Sequence, residues 1–399
     1  MEFSLSIVTD LAVIMIIAAI VVYIFYLLKQ PMIIGYLIAG IIIGPYTPPF
    51  SLISQPQVFS ATADLGVILL LFGIGLKFPF SKLIRVGKVS LGVAAIEIAI
   101  MLGLSLGISK LLDWSLVQAL FLGTALASSS TAIIAKVLGD MNKTRETSAL
   151  IMMGVLIVED LIVVGLLAII TSAASDGSMN FADINWILLK ILAFMIGSLI
   201  IGRLIIPRML DRMSLRSNNE VVLLIVLGLV FGLSIVSNLL GFSMAIGAFL
   251  MGVIIADTKS IDKIVEIVSP IKDMFAAIFF VSMGAFIDIT QFVSFLFPAL
   301  LVTVLMIVGK MLGCGLGTRI FGYDISTSLK VGLGMGQIGE FAFIVMKAGL
   351  DANLISSVQF SIVGVSAGIT TFLTPYLIHY SYSSRMSNII RIISRKSKK

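Results

Sequence analysis

Apolar residues along this chain come in long blocks instead of alternating with polar ones. Runs of about twenty Leu, Ile, Val, Met, Phe, Ala and Gly residues, each long enough to cross a bilayer, are separated by a few polar, Pro or Gly positions. A strand of a membrane barrel alternates at period two and a soluble helix keeps a polar face, so both are excluded. Cutting at the polar loops gives about thirteen spans, near residues 10–28, 32–45, 62–76, 89–111, 115–137, 148–172, 186–206, 221–239, 243–258, 271–287, 295–318, 328–349 and 355–380. The second is short and interrupted by Gly40, Gly44 and Pro45. The predicted fold class is an all-α integral membrane protein of about 13 transmembrane helices. Residues 1–385 form a single transmembrane transport domain, and 386–399 form a basic cytoplasmic tail.

Composition agrees, since 59% of the 399 residues are hydrophobic and 12% are charged, against about a quarter charged in a soluble domain. The first residues, MEFSLSIVTD, have no basic n-region, so the first apolar run is expected to stay in the mature protein. The net charge of +6 does not indicate nucleic acid, because the basic residues sit in short loops between spans. With the N-terminus outside, all but four of the 27 Lys and Arg fall on inner loops or the tail. The four are Lys110 and Lys347 at the outer side, and Lys190 and Lys310 within spans. The expected location is the cell membrane, multi-pass, with a cytoplasmic C-terminus. Cys314 lies alone in an apolar run and reads as packing.

Two groups of three spans, about 89–172 and 295–380, each carry a polar or Gly-rich interruption in the middle helix. They lie an odd number of spans apart, so they enter the membrane in opposite directions, as inverted repeats do. The interruptions are ALASSSTAII, with Ser128, Ser129, Ser130 and Thr131 in a row, and GLGMGQIGEF. Hydroxyls and glycines allow a helix to unwind and present carbonyls and helix ends to an ion. Gly334, Gly336 and Gly339 spell GxGxxG, but without the preceding strand of a dinucleotide-binding unit the motif is rejected.

An ionisable group in hydrocarbon is costly and functional by default. Glu159 and Asp160 sit adjacent in GVLIVEDLIVVGLL, pointing about 100° apart on a helix and therefore toward different partners. Lys310, in MIVGKMLGCG, must pair with Glu159, Asp160 or Glu97, and a purely structural Glu97–Lys310 pair is one alternative. Glu340 closes the second interruption and is read as a support for a helix end or a cation. His379 reads as an interfacial side chain at the end of the last span. The sequence holds no metal cluster, nucleophile triad or second mid-span aspartate, so no enzyme and no cofactor is expected.

The motifs GYLIAGIIIGP (35–45), LGVILLLFGIGL (65–76), SSSTAIIAKVL (128–138), VEDLIVV (158–164), GAFLMGVIIA (247–256), FFVSMGAFID (279–288) and GMGQIGEFAFI (334–344) resemble those of the second family of monovalent cation:proton antiporters. The likeness is to its Kef-like potassium-efflux members and bacterial sodium/proton antiporters, and it covers nearly the whole chain. It implies a homodimer in which one bundle carries the protomer contacts. The other, with two crossed broken helices, moves elevator-fashion. The family's ion-binding aspartate falls on Asp160, which would take the transported Na⁺ or K⁺ in exchange for H⁺. Its polar crossing-helix residues fall on Ser129, Ser130 and Thr131, and its membrane lysine on Lys310. Glu159 stands where Kef-like members usually have Gln and electrogenic sodium/proton members Asp, so the cation and stoichiometry stay open. Kef-like proteins often continue into a cytosolic regulatory domain; here the sequence ends in ISRKSKK, and the resemblance leaves two readings open, control by a separate cytosolic regulatory subunit or no such control. A gated potassium-efflux channel is the alternative, with the mid-span acids favouring a carrier.

Overall fold

The structure, a computed structural model, describes residues 2–47, 56–77, 87–175, 181–216, 218–240 and 242–383. The predicted basic tail, with Lys82 and Arg85, lies outside the described residues. Among them every regular element is helical: α1 (Glu2–Leu27), α2 (Met32–Ile43), α3 (Pro56–Gly75), α4 (Lys88–Leu111), α5 (Leu116–Ala127), α6 (Thr131–Asp140), α7 (Thr147–Ser175), α8 (Phe181–Arg216), α9 (Asn219–Leu239), α10 (Met244–Ile255), α11 (Ile261–Ala285), a 3-10 turn (Ile289–Gln291), α12 (Phe292–Ile320), α13 (Ile325–Gly334), α14 (Phe341–Asp351) and α15 (Ser357–Ser381). Every predicted span has a helical counterpart, and both interrupted spans are pairs of half-helices, α5/α6 and α13/α14. By length and composition seven stretches among the described residues are apolar enough to cross a membrane, and four shorter apolar helices accompany them there.

Several helices outrun their predicted spans, α8 and α11 by ten residues at one end. The one expected at 186–206 is the 36-residue α8, and the one expected at 271–287 begins at Ile261 in α11. Hydropathy falls where charges appear, but the backbone stays helical and carries Pro207 and Pro270 inside it. Charged side chains at these ends find partners: Arg203 Nε lies 3.0 Å from Asp257 Oδ2, and Ser260 donates through N and Oγ to Asp211 Oδ1 at 3.1 Å.

The chain divides into two compact units. The first comprises residues 1–23, 35–85 and 168–285. Its core includes Phe72, Val226, Val230, Ala248, Met251, Ile255 and Ile264. A second cluster joins Ile14 and Ala18 to Ala39, Ile43, Val281 and Ala285.

The other unit comprises residues 24–34, 86–167 and 286–399, and it holds the two groups predicted as repeats except for residues 168–172. Each runs long helix, half-helix, half-helix, long helix. Its local starts are written in the sequence: Ser115 and Ser356 form capping boxes with Gln118 and Gln359, and Asp324 accepts from the backbone N–H of Ser326 and Thr327 at 3.0 and 3.3 Å. Such caps satisfy amides that a helix start leaves without partners.

Helix α12 shows how this unit is ordered. Val293, Phe297, Leu300, Val304, Val308, Leu312, Leu316 and Ile320, spaced by three and four residues, form an exposed apolar stripe, the face a membrane protein turns to lipid. On the opposite side Gly309, Lys310, Gly313, Cys314 and Gly317 are buried. A Cβ at Gly313 would stand 3.0 Å from the Glu97 Cα, and one at Gly317 would stand 3.2 Å from the Val93 Cα. The glycines thus let α12 and α4 touch backbone to backbone, as small residues do between membrane helices. The same contact brings Lys310 beside Glu97.

Candidate functional site

The first helix break comes where four hydroxyl residues follow one another. Ser128 and Ser130 take extended conformations, φ/ψ −81°/137° and −82°/106°, between α5 and α6. Ser and Thr side chains offer the backbone alternatives to the helix, which favours a break here. The second break, between Gly334 and Phe341, meets the first. Gly339 N donates to Ser128 O at 2.9 Å, Gln337 Nε2 donates to Ser130 O at 3.2 Å, and Ile338 N donates to Thr370 Oγ1 of α15 at 3.2 Å. A polar backbone group freed in a membrane interior must be satisfied by protein. Here each break satisfies the other.

Charged groups gather beside this crossing. Glu97, Glu159 and Lys310 are fully buried and Asp160 is 3% exposed. Lys310 Nζ stands 3.3 Å from Glu97 Oε1 and 3.9 Å from Glu159 Oε2. It donates to Ser129 Oγ at 2.6 Å and to Ala127 O at 3.2 Å. One ammonium therefore faces two carboxylates and also caps the carbonyl end of α5, where a helix dipole favours positive charge. Asp160 follows Glu159 on α7 and so points about 100° away from it.

The predicted residues separate into three positions. Ser129, Lys310, Glu97 and Glu159 surround one ammonium; the expected Glu97–Lys310 pair exists, as one edge of this cluster. Ser130 and Thr131 line the first break, their buried hydroxyl oxygens bonded to no other group among the described residues. Glu340 sits at the N-cap of α14, the end of a helix that stabilises a carboxylate. Cys314 is buried in the packed core of the same unit, and His379 is exposed with Nδ1 2.7 Å from Pro375 O.

Sequence reasoning missed Gln337, Thr370 and Thr124. Gln337 and Thr124 are fully buried with an oxygen that has no hydrogen-bond partner among the described residues, and a single Gln or Thr in a Gly-rich run carries no signal of that. Thr370 belongs to a series, Ser366, Thr370 and Thr374, that bonds back to its own helix, a four-residue spacing that was visible. Lys347, expected at an outer boundary, is instead 3% exposed within α14. Asp351, one turn on, makes this possible by accepting from its ammonium at 2.6 and 2.8 Å.

A second polar network lies at the end of the unit away from the crossing. Glu146 accepts from Lys143 at 2.7 Å and from Lys330 at 3.0 Å. Lys330 also lies 4.4 Å over the Tyr382 ring, whose hydroxyl is 2.8 Å from Ser148 Oγ. Partial burial pushes the Glu146 carboxyl up, but the two ammonium groups outweigh it and hold the carboxyl below the usual carboxylate range.

An all-helical bundle with two broken helices crossing beside buried charges has the architecture of a membrane transport protein. The chain belongs to the sodium/hydrogen exchanger transmembrane family, whose profile matches residues 13–379. K(+) efflux antiporter 5 of Arabidopsis thaliana is 30% identical over 94% of this chain and 67% of its own length. The Na(+)/H(+)-K(+) antiporter GerN of Bacillus cereus is 29% identical over 90% of this chain and 92% of its own. Other relatives are longer, the chain spanning 63% and 64% of two of them. In fold, the sodium proton antiporter MjNhaP1 of Methanocaldococcus jannaschii matches with a TM-score of 0.70 at 20% identity, covering 96% of this chain and 97% of its own.

Proposed function

We propose that this protein exchanges a monovalent cation, Na⁺ or K⁺, for protons across the cell membrane, with Asp160 binding the cation and the proton in turn. The observation that supports the reading is the crossing of two mutually satisfied helix breaks beside the buried Glu97, Glu159 and Lys310, with Asp160 next to Glu159 on α7. Ser129, Ser130 and Thr131 and the unwound carbonyls supply oxygen, the ligand type that hard cations take. Two ligands competing for one carboxylate give obligatory exchange if only an occupied site crosses. Lys310, Glu97 and Glu340 hold the charge balance around it.

The unit with residues 86–167 and 286–399 is the moving body of an elevator-type cycle, and 89–172 and 295–380 are its inverted repeats. The protein acts as a homodimer with its N-terminus outside and its C-terminus in the cytoplasm. Relatives named as K(+) efflux and Na(+)/H(+)-K(+) antiporters support the exchange chemistry. Buried acids favour a carrier over a gated channel, because a channel has no need to hold a proton in place of its ion.

The test is dye-monitored proton movement in proteoliposomes as Na⁺, K⁺, Li⁺ and Rb⁺ are added in turn, with the membrane voltage clamped. Saturable cation-dependent proton release is expected. Single-channel currents, or no proton movement with any of the four, would overturn the reading.

A further inference from the structure

Gln337 is fully buried at the bottom of the second break. Its backbone N donates to Met335 O at 2.8 Å, its side-chain Nε2 donates to Ser130 O at 3.2 Å, and its Oε1 has no hydrogen-bond partner among the described residues. The orientation of the amide is fixed by chemistry. A carbonyl oxygen only accepts, so the nitrogen must face Ser130 and the oxygen must face elsewhere. Buried amide oxygens are satisfied in nearly all proteins, and one left over points to a role.

Its surroundings specify that role. Ser128 Oγ, Ser130 Oγ, Thr131 Oγ1 and Thr124 Oγ1 are also buried without a hydrogen-bond partner among the described residues. All five groups belong to the two breaks or to the half-helices that flank the first. Hydroxyls can turn to donate or accept, but an amide oxygen is a fixed acceptor. It takes either a hydrogen-bond donor or a cation, and Lys310 already has its contacts on Glu97, Glu159, Ser129 and Ala127.

We propose that Gln337 is a ligand of the transported cation, its amide nitrogen bolting it to the broken backbone at Ser130 and its amide oxygen completing the cation's oxygen shell. The inference rests on the antiporter reading above and adds to it a residue that sets which alkali cation fits. A neutral, rigidly held carbonyl adds ligand strength without charge, so it changes the order among alkali cations while leaving the proton's competition for Asp160 in place.

The experiment compares wild type, Gln337→Met, Gln337→Asn and Thr370→Val in proteoliposomes, measuring KM and Vmax for Na⁺, K⁺, Li⁺ and Rb⁺, with melting in detergent in the same salts. Gln337→Met removes the oxygen at similar volume and is expected to raise KM about tenfold, the scale of one lost charge-assisted contact, with a smaller effect on Vmax. Gln337→Asn draws the whole amide back, weakening the bond to Ser130 O, and is expected to fold with a lowered melting temperature and to change the ratio of KM values between cations. Thr370→Val removes the support of Ile338 N and is expected to lower the melting temperature without altering that ratio. A wild-type KM order and magnitude in both Gln337 variants would overturn the proposal, as would the same shift in Thr370→Val. Should Gln337→Met not fold, the ratio in Gln337→Asn alone decides. Absence of cation-dependent proton movement in wild type would instead sink the antiporter reading itself.

Discussion

Gly339 lies against the backbone of Ser129 so closely that a Cβ on it would stand 2.5 Å from the Ser129 carbonyl carbon and 2.6 Å from its oxygen. Its own N–H meanwhile donates to Ser128 O at 2.9 Å. Backbone, not a flexible side chain, is in the way, so a methyl group here must push the two breaks apart. Gly339→Ala is expected to cost about 1–3 kcal/mol or more, the range of overpacked interiors. The check is a melting temperature in detergent together with exchange activity: both should fall, whereas Gly107→Ala, where the added atom meets nothing within 4 Å, should leave both near wild type.

Asp160→Asn keeps the size of the side chain and removes its charge. Loss of cation-dependent proton movement is expected, with the folded protein retained by size-exclusion chromatography and melting. Exchange at the wild-type rate would remove Asp160 from the mechanism.

Among the described residues Lys310 supplies the one positive charge that faces two buried carboxylates, so deleting it leaves their charge uncompensated. Lys310→Met is expected to destabilise by about 3–5 kcal/mol, the scale for breaking a buried pair. Adding Glu97→Gln and Glu159→Gln to Lys310→Met should recover much of that loss. Thermal melting of the single and triple variants measures it, and equal melting temperatures for the two would refute the neutralising role.

At the other end of the unit, the depressed titration of Glu146 gives a pH dependence of known sign. A carboxyl held low in the fold contributes stability that is present above its unfolded value, about 4.3, and is lost as pH falls through the folded value. Side-chain exposure of 33% on Glu146 keeps the effect small, about 1 kcal/mol or less. Melting of wild type and Glu146→Gln should therefore differ slightly at pH 7 and converge as the pH drops below about 4. A difference that grows with acid would contradict the assignment.

How much of this was legible in the sequence depends on how a residue announces itself. Glu159, Asp160 and Lys310 stand out because charge in an apolar run is conspicuous, and Ser128–Thr131 because four hydroxyls in a helix interior are rare. Counting depth from the loops brought Glu97 level with Lys310. The sequence offered Glu159 and Glu97 as alternative partners of Lys310 and not as two acids on one ammonium, at 3.9 and 3.3 Å, because rotation about three helix axes is invisible to a one-dimensional count. Gln337 stayed hidden for a different reason: its significance is an unsatisfied oxygen, a property of the assembled crossing. The hydropathy cut also ended α8 too early and began α11 too late, because charged residues mark where lipid stops, not where hydrogen bonding stops.

The mutual satisfaction of the two breaks has a consequence for how the protein is made. Gln337 and Ser130 are separated by 207 residues, so at a translation rate of roughly 5–20 residues per second the first break waits about 10–40 s for the second to be synthesised. Throughout that interval the carbonyls of Ala127, Ser128 and Ser130 lack the partners they have in the finished fold. The nascent half-protein must keep that segment near water, in the insertion machinery or under a chaperone, until its mate arrives.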